Sequence, residues 1–207
     1  MRKILVIGAA IAGMALAPAA SAAEIVGTVT NGPTGAVFEE KIPTADAKLD
    51  VGQDSQNSPN LFAAKEQQNV ALLSNIAGLD AGTFVRSFYV WFDPLRTGRM
   101  RGTVTFANDI LAVITANGEL ADTDYLGNPN INYLNKGARG LEGPDTFSVS
   151  GKTLTVDFRA SSPGDFVRVM TSVPEPSTWM MIILGFGLIG AALRAEKTRQ
   201  RPRVALS

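Results

Sequence analysis

The chain has 207 residues, with 19 basic and 19 acidic side chains, no Cys and no His. Without Cys there is no disulfide frame, thiol nucleophile or zinc-finger spacing, and without His the commonest general base and metal ligand are missing. The zero net charge hides a segregation, because residues 23–173 hold 12 basic against 17 acidic side chains while the two ends are basic. An acidic middle argues against nucleic acid as a partner, since phosphate binding needs clustered Lys and Arg.

Arg2 and Lys3 precede an unbroken run of 14 small or apolar residues, Ile4 to Ala17, and Pro18 then stops the helix. Ala20 and Ala22 supply the small residues at −3 and −1 that signal peptidase needs. The run is short for a permanent span of a roughly 30 Å hydrocarbon core. Residues 1–22 therefore read as a signal peptide, cleaved after Ala22 or one residue later.

Residues 23–172 are enough to bury one core. Their apolar segments are short, β-branched and aromatic, with Gly, Pro, Asn and Asp between them. Strands are predicted at Val26 to Thr30, Ala36 to Phe38, Thr83 to Phe92, Gly102 to Phe106, Phe147 to Val149, Lys152 to Phe158 and Phe166 to Met170. The solid apolar run Ile110 to Thr115 suits a strand buried on both faces. Residues 43–60 read as a loop, residues 69–74 as a strand in an ambiguous stretch, and Leu120 to Leu126 as one helical turn. Strands recurring at this spacing predict a mainly β, antiparallel β-sandwich or jelly-roll-like domain.

Residues 173–207 close the chain. Trp179 to Leu193 is an apolar run of 15 residues, about 22 Å long as a helix at 1.5 Å per residue. Arg194, Lys197, Arg199, Arg201 and Arg203 follow it, so the positive-inside rule places the tail in the cytoplasm and the run across the inner membrane as a single transmembrane helix, 179–193. Immediately before it stand Val173, Pro174, Glu175, Pro176, Ser177 and Thr178. Two prolines hold such a segment extended and non-helical.

This Pro-Glu-Pro motif, with Trp179, the apolar run and the basic end in order, closely resembles the PEP-CTERM sorting signal of Gram-negative bacteria. The resemblance implies recognition by exosortase, a membrane-embedded cysteine transpeptidase, cleavage near Pro174, Glu175 and Pro176, and delivery to the cell surface or matrix in strains that make exopolysaccharide. Glu175 is then a recognition residue of a substrate. Looser pieces resemble a recurring ectodomain of exported PEP-CTERM proteins: Glu66 to Val70, Ala81 to Thr83 leading to Phe92-Asp93-Pro94, and Pro163 to Val169. That resemblance implies a boundary near Thr171 and no reaction.

Three chemistries remain for the middle. A carboxylate pair could hydrolyse glycosides, but nothing singles out two of the 17 acids. Calcium needs only oxygen ligands, and Asp122 and Asp124 with Asn128 and Asn130 form the best such loop, against the reading that they serve turns. Carbohydrate binding is the third: alternation sends Tyr89 and Trp91 to the face opposite Phe88, Val90 and Phe92, where they could stack on sugars with Asp93, Arg96 and Arg99 nearby. The alternative is that both rings pack beneath a loop or second sheet. Asp165 and Arg168 are expected to pair structurally. The reading is an exported, exosortase-processed, non-catalytic surface or matrix protein, structural or adhesive, with no cofactor, associated with extracellular polysaccharide or biofilm. A polysaccharide hydrolase is the alternative.

Overall fold

A computed structural model of the chain describes residues 24–161, 163–173, 183–191 and 194. The predicted signal peptide, with Ala20 and Ala22, lies outside the described residues. So do Pro174, Glu175, Pro176, Trp179, Lys197, Arg199, Arg201 and Arg203.

The described chain is mainly β. Its strands are β1 (Ile25–Asn31), β2 (Phe38–Lys41), β3 (Leu49–Val51), β4 (Leu61–Lys65), β5 (Val70–Ala71) and β6 (Phe84–Phe92). After them come β7 (Met100–Phe106), β8 (Ile110–Ile114), β9 (Ile131–Tyr133), β10 (Thr146–Ser150), β11 (Thr153–Phe158) and β12 (Asp165–Ser172). Helix α1 (Asn117–Asp122) and a 3-10 turn (Asp124–Leu126) lie between β8 and β9.

One sheet has four strands in the order β1-β7-β11-β10, all antiparallel. The other runs β2-β4-β6-β12-β8, with β5 pairing β6. Most pairs are antiparallel, as expected, but β2 pairs β4 in parallel, and β3 pairs β9 in parallel in a small separate ladder.

Burial follows strand chemistry. In β7, Met100, Gly102, Val104 and Phe106 point inward while Arg101 and Thr105 are exposed, the period-2 alternation of a sheet with one wet face. Strands β6 and β12 lie side by side in the middle of the larger sheet and are buried on both faces over most of their length. The first core cluster takes Val104, Leu154 and Phe158 from the smaller sheet and Phe88, Val90, Phe92 and Val167 from the larger. Close approach is needed here: a Cβ on Gly27 of β1 would sit 2.1 Å from the Phe38 ring of β2. The second cluster lies on the other face of the larger sheet, where Phe62, Tyr89, Trp91 and Phe166 meet Val51, Leu120, Leu126 and Ile131. The β3-β9 ladder, α1 and the 3-10 turn thus form an outer layer over that face.

Several expectations change. Residues 43–60 include β3, held by β9, and two residues, not six, of 69–74 form a strand. The run from Ile110 makes β8, an edge strand with Leu111 exposed, because β12 alone pairs with it. Residues 183–191 are helical and fall inside the predicted 179–193 span, Arg194 just past it is helical as well, and the rest of that span lies outside the described residues. Among the described residues no helix is long and apolar enough to cross a membrane.

Candidate functional site

The aromatic pair expected on an open sheet face is not on one. Alternation does separate Tyr89 and Trp91 from Phe88, Val90 and Phe92, yet both rings are fully buried, because the outer layer covers them. Trp91 stacks on Phe62 at 5.4 Å, and Tyr89 meets Tyr133 edge-on at 5.3 Å. Burial pushes the Tyr89 hydroxyl up from its ordinary pKa. Asp93 is buried as well, and its Oδ2 accepts the backbone N–H groups of Ser55 at 3.2 Å and Gln56 at 2.9 Å. It fastens the 52–59 loop to the end of β6. Sugar stacking by Tyr89 and Trp91 with help from Asp93 is therefore ruled out in this fold. Of the two arginines expected beside them, Arg99 is bound to Asp157, with Nε 2.6 Å from Oδ1.

Beneath the outer layer lies an ionic cluster that sequence reasoning missed. Arg168 is fully buried and binds Glu66 in two-pronged fashion, Nε to Oε2 at 2.8 Å and Nη2 to Oε1 at 2.9 Å. Its Nη1 donates to the Leu120 carbonyl at 2.9 Å and Thr123 Oγ1 at 2.7 Å, and Nη2 reaches Asp124 Oδ1 at 3.4 Å. All five guanidinium N–H groups are thereby used. Glu66 also accepts from Ser87 Oγ and from Tyr133 Oη, the latter at 2.5 Å. Burial opposes the charge on Arg168, but the Glu66 carboxylate overcomes this, and the net displacement of its pKa is upward. Tyr133 is raised by burial first and by Glu66 second. The Arg168 guanidinium carbon lies 5.2 Å and 5.3 Å from the Tyr89 and Tyr133 ring centroids.

A carboxylate carrying four hydrogen bonds has no lone pair left for a metal or a substrate proton, so Glu66 works as an internal clamp. The clamp joins the larger sheet to α1, the 3-10 turn and β9. The expected Asp165–Arg168 pair does not form, because residues three apart on one strand face opposite ways. Arg168 points to the second cluster and Asp165 to the first.

The proposed calcium loop is divided in the same way. Asp124 takes Arg139 Nη1 and Nη2 at 3.0 Å and 2.9 Å, so its oxygens serve guanidinium groups, while Asp122 is exposed. The Asn130 backbone N–H donates to the Asn128 side-chain Oδ1 at 2.8 Å, and Asn128 Nδ2 donates to the Lys65 carbonyl at 2.9 Å, so Asn128 is spent on holding backbone. Among the described residues no group of three or more acidic side chains is disposed to hold a metal ion. Asp165 is buried, and its carboxyl is pushed up to about 7, by burial first and then by Asp145 and Glu142.

Two surface clefts among the described residues reach about 330 Å³ or more. One, of about 400 Å³, is bordered by Glu40, Lys41, Lys65 and Asn128 beside the clamp. The other, of about 330 Å³, is lined by Pro33, Asn57, Pro59, Pro94, Leu95 and Arg96. The second lies where β6 ends and β7 begins. Both described termini of the domain sit at the opposite end: the Ala107 N–H donates to the Glu24 carbonyl at 3.1 Å, and the Ser172 N–H to the Asp109 carbonyl at 2.9 Å.

No curated protein matches the chain, and no solved structure does. A family model described as the PEP-CTERM protein-sorting motif matches residues 172–197. The match begins at the last residue of β12 and runs through the helical residues 183–191 and Arg194. The chain carries a PEP-CTERM sorting motif, the mark of an exported exosortase substrate made as a membrane-anchored precursor.

Proposed function

We propose that the protein is a non-catalytic surface or extracellular-matrix component, structural or adhesive, associated with extracellular polysaccharide in a biofilm. The observation that carries the reading is the sorting motif attached directly to the last strand of the β domain. In this reading signal peptidase removes residues 1–22, the run 179–193 anchors the precursor in the inner membrane, and exosortase cuts near Pro174, Glu175 and Pro176. In this reading the ectodomain is a β-sandwich built from the two sheets that share the first core, and it works without a cofactor.

The cleft at the end remote from the anchor is the ligand surface in this proposal. Asn57, Arg96 and Thr97 offer polar groups there, and Pro33, Pro59 and Leu95 offer apolar faces. That mixture suits a glycan, which has hydroxylated edges and apolar ring faces. The interior supports a binding rather than a catalytic role, since Glu66 and Asp124 are bound to arginines.

The test is retention of the mature protein on the exopolysaccharide of its own host. Wild type is retained without glycan breakdown, and an Arg96→Ala, Thr97→Ala variant, changed at two exposed cleft residues, is released while keeping the same unfolding curve. Equal retention of the variant removes the cleft from the account. Glycan hydrolysis that disappears on one Asp or Glu substitution replaces the proposal with a carboxylate-pair hydrolase.

A further inference from the structure

Glu24 and Ser172 flank the same turn, Ala107 to Asp109, so the chain enters and leaves at one end. Six residues, Val173 to Thr178, separate Ser172 from the apolar run that begins at Trp179. Fully extended they reach about 20 Å. While the precursor is anchored, this end is held within that distance of the bilayer.

Two large apolar side chains stand out of the fold here. Phe84 is 57% exposed and precedes Val85, the residue that pairs with Ser172 at the exit of the chain. Leu73 is 74% exposed and follows Leu72, whose backbone is bonded to Thr83 and Gly82. The Leu73 N–H donates to Tyr125 Oη at 3.0 Å, and Ile76 and Leu79 are bridged through their backbones. Leu73 is therefore presented on a fastened turn. Residues 69–85 contain no cation and one acid, Asp80. Nearby, Lys152 donates to the Ala107 carbonyl at 2.8 Å, leaving a cation at the rim of the same end.

We infer that this end rests on the periplasmic face of the inner membrane in the precursor, with Leu73 and Phe84 seated in the headgroup region of the lipid. The inference rests on the membrane-anchored reading of the sorting motif. Lone exposed apolar residues are ordinary on a protein surface. These two differ because the tether supplies a high effective concentration of lipid, so a contact too weak for a free domain is populated. The result is a fixed posture. The remote cleft points away from the membrane, and the segment that exosortase must reach is held at the lipid surface.

The native chain has no Cys, so single-cysteine variants carry an environment-sensitive fluorophore at one position each. Full-length precursor with Leu73→Cys, Phe84→Cys, Leu95→Cys or Ile189→Cys is labelled and reconstituted in phosphatidylethanolamine–phosphatidylglycerol vesicles, with and without lipid spin-labelled at the headgroup, read at 73, 84 and 95, or at mid-chain, read at 189. Leu95, 70% exposed, is the control at the remote end. Labels at 73 and 84 are expected to shift to the blue on reconstitution and to lose emission to the quencher lipid, while the label at 95 does neither. Labels at 73 and 84 that behave as at 95, with the label at 189 quenched, overturn the inference while the anchor stands. An unquenched label at 189 overturns the anchor and the inference together. Shielding of 73 and 84 that appears only when exosortase is added overturns a lipid contact in favour of a protein one.

Discussion

Replacing Arg168 with Met removes one partner from a pair whose side chains are both fully buried. Glu66 would keep only Ser87 and Tyr133, and the Leu120 carbonyl and Thr123 hydroxyl would lose their shared donor. Leaving a buried carboxylate without its counter-charge costs about 3–5 kcal/mol, whereas replacing both partners by apolar groups is often neutral. For a domain of this size that loss lowers Tm by roughly 6–20 °C. Urea and thermal unfolding of the β domain measure it, with near-UV circular dichroism reporting on Tyr89 and Trp91 in the covered face. The double variant Arg168→Met, Glu66→Met is expected to recover most of the lost stability. A single variant within about 0.5 kcal/mol of wild type, the range of ordinary surface changes, would refute the clamp. So would a double variant no more stable than the single one.

Asp165 gives the domain a pH dependence of defined sign. An unfolded Asp releases its proton near pH 4, but the folded carboxyl keeps it up to about 7, so stability declines as pH rises through that window. The decline from this group is up to roughly 4 kcal/mol, and Asp165→Asn should flatten it, which denaturation at a series of pH values measures; parallel curves for variant and wild type would contradict it. Trp91→Ala should cost about 3–5 kcal/mol and lower the unfolding midpoint, since the ring is buried against Phe62. Gly164→Ala should destabilise by about 1–3 kcal/mol, because φ is +93° and the new Cβ would lie 2.7 Å from the Phe92 carbonyl oxygen; chemical denaturation would show it.

The β character and the long strands were legible because alternation of apolar and polar residues is a local signal. It placed Phe88, Val90 and Phe92 on one face of β6 and Tyr89 and Trp91 on the other, correctly. Of what covers the second face, only the helical turn at Leu120 to Leu126 was legible. Strands β3 and β9 are three residues each, too few to show a period, and set in polar surroundings. The clamp joins Glu66 to Arg168, 102 positions apart, and no spacing rule reaches that far. One error was avoidable: Asp165 and Arg168 are an odd number of residues apart on one strand, which forbids their pairing. The sorting motif was legible because its order of prolines, apolar run and basic residues is read along the chain, and the family model matches it over residues 172–197.

The central claim is that exosortase processes this chain at its sorting motif. Its most direct test is the intact mass and location of the protein in its own host, with and without the exosortase gene. The account predicts that with exosortase the surface or matrix fraction holds a chain lacking residues 1–22 and the segment after the Pro174–Pro176 region. Without exosortase, the C-terminal segment should remain and the protein should stay with the inner membrane. The same unprocessed C-terminus in both strains would contradict the account, making the last segment an anchor only and the β domain a resident of the periplasmic face.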